Sequence, residues 1–152
     1  MVLILMLALS VSIITDDMSK LSDLNYYLDI NGLSKHINPE IEYREINPGI
    51  GITAESVNDN IVKALMAGRY QNSYNNPSYY AGGSLAKRFG DNYYADLGLM
   101  GGLATGYEDR LTPIGGLMAT IGKKDLGRLQ AILTPPADKA DAVLMMKLGI
   151  PF

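Results

Sequence analysis

The sequence predicts an all-β chain that closes as an eight-stranded antiparallel up-and-down β-barrel of the outer-membrane type. Three observations carry this expectation. The stretch from Asp91 to Tyr107 alternates: Tyr93, Ala95, Leu97, Leu99, Gly101, Leu103 and Thr105 form a mostly apolar row, and Tyr94, Asp96, Gly98, Met100, Gly102, Ala104 and Gly106 a small or polar one. A period of two marks a strand with unlike faces. The run is about 15 residues long, against roughly 5–6 for an ordinary strand, which is the length and patterning a membrane-spanning strand needs. Similar segments recur along the chain, separated by turn signals about every 12–17 residues, and about eight of them is the smallest number that closes a membrane barrel.

Composition narrows the function classes. With 152 residues, a net charge of −3 and 19% charged residues, the chain has no basic field for nucleic acid. Cysteine is absent and there is one histidine, His36, which argues against disulfides, thiolate chemistry and a His-rich metal site. No cofactor and no metal are expected. Ten tyrosines and 16 glycines suit strands with close backbone approaches. No uninterrupted apolar run reaches the ~20 residues of a spanning helix.

The elements follow in order. Met1 to Ile14 is apolar or small and is followed by Thr15-Asp16-Asp17, so residues 1–17 read either as the apolar part of a secretory signal, without the usual basic start, or as a buried element of the mature protein. Residues 18–152 form the barrel domain. Leu24 to His36 is the first strand, ended by Asn38-Pro39; Glu40 to Glu45 is loop or strand rim, Asn47-Pro48-Gly49 a turn or bulge, and Ile50 to Glu55 the second strand. Asn58-Asp59-Asn60 is a turn. Ile61 to Ser73 is the third strand, with Val62, Ala64, Met66, Gly68 and Tyr70 on one face and Lys63, Arg69, Gln71 and Ser73 on the other. Its IVKALMAG portion also carries good helix formers. Tyr74 to Pro77 is a turn, Ser78 to Lys87 the fourth strand, and Gly90-Asp91-Asn92 the turn into the fifth.

Glu108-Asp109-Arg110 reads as a polar loop, Pro113 to Ile121 as the sixth strand and Gly122 to Asp125 as a tight turn. Leu126 to Thr134 is the seventh strand, Pro135 to Ala140 a loop, and Ala142 to Phe152 the eighth, with Leu144, Met146, Leu148, Ile150 and Phe152 opposite Lys147 and Gly149. The tyrosines near strand ends (Tyr26, Tyr27, Tyr79, Tyr80, Tyr93, Tyr94 and Tyr107) read as an interfacial girdle first and as core packing second.

Several segments point to a family. They are His36 at the end of the first strand, Tyr43-Arg44-Glu45-Ile46-Asn47-Pro48-Gly49, Tyr70-Gln71-Asn72-Ser73-Tyr74, the glycine-rich Leu97 to Tyr107, Thr134-Pro135-Pro136 and the terminal Phe152. In these, from about Ser34 to Phe152, the chain resembles the outer-membrane lipid A palmitoyltransferases (PagP-like barrels) and their wider relatives. The resemblance implies an outer-membrane protein, acting as a monomer, that moves a palmitoyl chain from a phospholipid to lipid A. It implies catalysis by His36 and Ser73. The family's aspartate falls on Asn72, a departure, because an amide orients a partner but does not stabilise an imidazolium as a carboxylate does.

The residues themselves allow the same chemistry. Acyl transfer needs a general base and donors for the developing oxyanion, so His36 is a candidate base and Ser73 its partner. Arg69, Gln71 and Arg44 are candidate ligands for lipid phosphate or carbonyl oxygens. Each has an ordinary alternative: His36 as a loop histidine, Ser73 as a turn hydroxyl, and Arg69 in an interior ion pair with Glu55 or Asp96. The small row Gly98, Gly102, Ala104 and Gly106 reads either as room for an acyl chain or as relief of crowding in a tight barrel. A non-enzymatic structural or adhesive barrel, with an interior filled by Lys63, Arg69, Asp96, Arg128 and Lys147, is the rival reading, and a soluble lipocalin-like carrier the third.

Overall fold

A computed structural model describes residues 24–37, 39, 42–107, 110–136 and 141–152; the N-terminal segment 1–17 lies outside the described residues. Eight antiparallel strands close into one barrel in sequence order: β1 (Asn25–Ile37), β2 (Ile46–Asn58), β3 (Ile61–Gln71), β4 (Pro77–Gly90), β5 (Tyr93–Tyr107), β6 (Arg110–Lys123), β7 (Gly127–Thr134) and β8 (Ala142–Pro151). Closure comes from β1 against β8, in a register running from Tyr27 opposite Pro151 to Ile37 opposite Ala142. With every strand paired on both sides, no free sheet edge runs the length of the barrel.

The two ends differ. At one end lie the start of β1, the end of β8 and three tight connections: Asp59-Asn60, Asp91-Asn92 and 124–126. Asp59 and Asn60 have φ of 48° and 64°, the pair of positive angles that a two-residue type I′ hairpin requires. At the other end lie the two-residue connection 108–109 and three longer ones, 38–45, 72–76 and 135–141.

Strand alternation sorts the side chains. Ile50, Ile52, Leu97, Leu99, Leu117 and Ile121 face outward and are exposed, while Thr53, Glu55, Asp96, Met100, Thr120 and Met118 face inward and are buried. Each Tyr-Tyr doublet is split by the pleat. Tyr79 and Tyr93 are exposed outside, whereas Tyr27 and Tyr94 are buried inside. Only part of the expected girdle is therefore external. The inner tyrosines lie under cations, Arg128 3.7 Å from the Tyr27 ring centroid and Arg88 3.9 Å from that of Tyr94.

Several strand limits differ from expectation. Asn47-Pro48-Gly49 lies inside β2 as the bulge that the sequence offered, with Asn47 and Pro48 opposite Gly32 alone, whereas β6 begins at Arg110, within the expected polar loop, whose residues 108–109 are outside the described set. Arg110 joins the strand because it pairs with Tyr107 across the turn. Arg69 takes no part in an interior ion pair: it sits on the exposed outer row of β3, and Lys63 shares that row. Asp96, Arg128 and Lys147 are interior as expected, and Arg88 is the cation that takes the place given to Arg69.

Two irregularities decide which side chains enter the upper barrel. The register of β1 shifts between Asn31 and Leu33 against both neighbours. Tyr27 and Asp29 point inward below the shift, and Ser34 and His36 above it, so the inward row changes parity at Gly32. The pairing of β5 with β6 shifts between Ala104 and Tyr107, where Gly106 has φ of 86°. Bulges of this kind re-aim side chains.

Candidate functional site

The interior has two halves. Toward the tight turns, charged groups fill it. Arg88 bonds Asp96 through both Nε and Nη2, each at 2.8 Å, and Glu55 at 2.9 Å; Arg128 also bonds Glu55. Lys147 donates to Asp29 at 2.9 Å, and the Thr53 hydroxyl donates to the same oxygen at 2.5 Å. Three carboxylates thus face three cations, a neutral set, as burial in low dielectric demands. Above it lies an apolar layer of Val62, Met66, Ala86, Met100, Met118 and Ile132.

Above that layer, toward the loops, is a cavity of about 250 Å3. Met66, Met100, Ile132 and Met145 line its lower part, and His36, Tyr43, Ser73, Tyr74, Tyr107 and Asp141 its upper part. The upper aromatics form a chain of edge contacts: His36 to Tyr43 at 3.9 Å between centroids, Tyr43 to Tyr74 at 5.6 Å, and Tyr74 to Tyr107 at 6.1 Å. The Tyr107 and Tyr70 hydroxyls meet at 2.6 Å, and Tyr70 packs on Tyr80 at 5.8 Å. Among the described residues the strand pairing of the wall is interrupted on one side. β7 pairs with β6 only from Leu117 opposite Leu133 downward, so β6 from Arg110 to Gly116 has no β7 partner. Thr112, Pro113 and Ile114 line the cavity there, and Pro113 lacks an N–H to offer a neighbour.

The structure brings two of the candidate catalytic residues to this cavity. His36 is buried, with 8% of its surface exposed, and neither ring nitrogen has a hydrogen-bond partner among the described residues. It is a strand residue facing inward, not a loop histidine. The Ser73 hydroxyl lies 3.1 Å from the Asn47 amide. With that amide oriented to satisfy every neighbour, its oxygen accepts from Ser34 and Ser73, and its nitrogen donates to the Arg44 and Ile46 carbonyls at 3.1 Å each. Ser73 is therefore held by Asn47 and makes no bond to the imidazole.

The remaining candidates lie elsewhere. Asn72 is completely buried and fully engaged: its nitrogen donates to Ser78 at 3.0 Å and to the Gly106 carbonyl at 2.8 Å, and its oxygen accepts from the N–H groups of Tyr74 and Asn76. Arg44 donates to the Ile46 carbonyl at 2.7 Å and to Asn75 at 2.5 Å, and Gln71 also bonds Asn75. These three residues clasp the β3–β4 loop. Arg69 faces away from the cavity.

Gly98, Gly102, Ala104 and Gly106 do not line the cavity. A Cβ at Gly98 would meet the Leu85 carbonyl and lie 2.5 Å from the Ala86 Cα, and one at Gly102 would lie 2.8 Å from the Gly82 Cα. Their role is close approach of β4 and β5. The residues sequence reasoning missed are Tyr43, Tyr70, Thr134 and Asp141. Three sit in segments that read as loop or strand end, and nothing in the local pattern says that they converge. Comparison with protein-family models and with curated proteins finds no match.

Proposed function

We propose that this chain is an outer-membrane barrel that binds the acyl chain of a lipid in its upper cavity. The observation that carries this reading is the apolar cavity above a filled, charge-neutral lower barrel, bordered by the stretch of β6 that lacks a β7 partner among the described residues. An acyl chain entering there would leave hydrocarbon only for an apolar wall, so its transfer requires no hydration. The exposed apolar outer rows favour a membrane over the polar exterior that a soluble carrier needs. About 250 Å3 lies just under the 300–1,000 Å3 range of sites that enclose a drug-sized ligand, which favours part of a chain over a whole diacyl lipid.

Acyl transfer from phospholipid to lipid A is the enzymatic form of this reading. It assigns His36 as base and Ser73 as its partner, and it needs Ser73 to leave Asn47 and reach the imidazole within about 3 Å. The rival is a structural or adhesive barrel, favoured by the ion-paired lower half.

Purified protein in phospholipid vesicles, with lipid A added, tests both. A photoactivatable acyl phospholipid should label the cavity residues, and Ile132→Trp should suppress labelling. Labelling confined to the outer face in the unaltered protein would remove the lipid-binding reading. Transfer of labelled acyl chain to lipid A, abolished in His36→Ala, supports the enzymatic form; its absence leaves the binding barrel.

A further inference from the structure

The orphaned polar atoms of the cavity lie on one rung. In the register, His36 of β1 is opposite Val143 of β8, which is opposite Thr134 of β7. Two strand spacings put the His36 and Thr134 backbones about 10 Å apart, with Val143 between them. Both ring nitrogens of His36 and Oγ1 of Thr134 are buried, and none has a hydrogen-bond partner among the described residues. Both residues line the cavity. Buried donors and acceptors are nearly always satisfied, and a group left unmade carries the full desolvation penalty. Three such atoms facing one apolar space describe the complement of a polar head.

The surroundings select the charge of that head. Lys35 and Glu45, near His36, neutralise each other across 2.5 Å. Lys147 at the floor is engaged by Asp29. Asp141 is the acidic residue among the cavity-lining residues, and it has no salt bridge among the described residues. An anionic head would meet that carboxylate without a free cation to offset it. A neutral imidazole has one N–H and one bare nitrogen, so it matches a head that both accepts and donates.

We propose that the cavity takes a single-chain, medium-length amphiphile whose head is an uncharged hydrogen-bonding group of the amide class. The head sits at His36 and Thr134, and the chain descends toward Met66, Met100 and Ile132. This rests on the lipid-binding reading above and adds to it the chemistry of the head.

The test uses the full chain in phospholipid nanodiscs, with decanamide, decanoate and decane as probes competing against a neutral fluorescent naphthylamine. Because His36 is the only histidine, labelling histidine with 15N gives a single ring to follow. Decanamide should bind about tenfold tighter than decanoate and shift both ring nitrogens. His36→Leu should bring the ratio of decanamide to decanoate affinity close to one, His36→Gln should restore part of it, and Thr134→Val, of nearly the same shape, should lower it. Equal binding of decanamide and decanoate, or ring nitrogens unmoved by bound decanamide, would overturn the assignment of the head while sparing the lipid-binding reading. Failure of every probe to displace the dye would overturn both.

Discussion

Lys147 Nζ lies 2.9 Å from Asp29 Oδ2 inside the barrel, joining the first and last strands across 118 positions of sequence. Both side chains are almost wholly buried, and Thr53 bonds the same carboxylate oxygen. Lys147 also lines the cavity, with its Nζ 3.9 Å from the Met66 sulfur. The pair therefore separates the polar half of the interior from the apolar half.

Removing one partner of this pair leaves a buried charge alone. Asp29→Ala should destabilise the barrel by about 3–5 kcal/mol. The double variant Asp29→Leu with Lys147→Met should recover most of that loss, since an apolar pair of similar volume has no desolvation to offset. Urea unfolding of the refolded variants, followed by tryptophan introduced at Leu117, checks this. Equal loss in the single and double variants would contradict it.

The outer row gives a depth-dependent prediction. Leu99 lies near the middle of β5 and Tyr93 at its turn end, both facing outward. In lipid vesicles, Leu99→Arg should cost about 2–4 kcal/mol and Tyr93→Arg about 0–1 kcal/mol. Comparable effects at both positions would indicate that the outer face does not contact hydrocarbon.

Glycines on opposite faces of β5 should respond oppositely. A Cβ at Gly98 meets backbone of β4, while a Cβ at Gly101 meets nothing within 4 Å. Gly98→Val should therefore destabilise by about 1–3 kcal/mol through overpacking. Gly101→Val should be neutral or stabilising by up to about 1 kcal/mol, because a β-branched residue suits an exposed strand position. Urea midpoints of the two variants measure the contrast.

A one-residue deletion normally turns every later side chain of a strand to the wrong face. Gly32 is the exception. Against β8 it is the extra residue of β1, so deleting it makes that pairing regular and leaves Ser34 and His36 inward, while against β2 it widens a step in which Asn47 and Pro48 already stand opposite Gly32 alone. The Gly32 deletion should refold to a barrel that runs as a compact band on unheated gels, whereas deletion of Leu65 in β3 should not. Failure of the Gly32 deletion to fold would show that the bulge itself, with its added twist, is required.

Asn72 supports the cavity rim through four hydrogen bonds. Asn72→Ala should lower stability by about 1–3 kcal/mol and expose the loop 72–76 to proteolysis. Asn75→Gly keeps the φ of 65° free of strain but removes the oxygen that accepts from Arg44 and Gln71, so it should cost less than Asn72→Ala, about 0.5–1.5 kcal/mol. Limited proteolysis followed by mass mapping distinguishes the two. An Asn72→Ala loop as resistant as the native one would refute the clasp.

The alternation of side chains determined, from sequence alone, the number of strands, the closed antiparallel barrel and the outward rows of β5, β7 and β8. It did so because a period of two is local: each residue faces away from its neighbours whatever the rest of the chain does. The same locality hid the cavity. His36 enters it because β1 gains a residue at Gly32 against β8, and Tyr107 lines it beyond a second shift after Ala104. Such shifts are set by pairing with other strands, so residues far apart in sequence decide them. The partners of Asn72, Arg88 and Lys147 were likewise fixed only by closure, which brings β1 to β8 and lays side chains from distant strands at one height. Rows and strand count belong to the chain as written; the chemistry of the lumen belongs to the ring it forms.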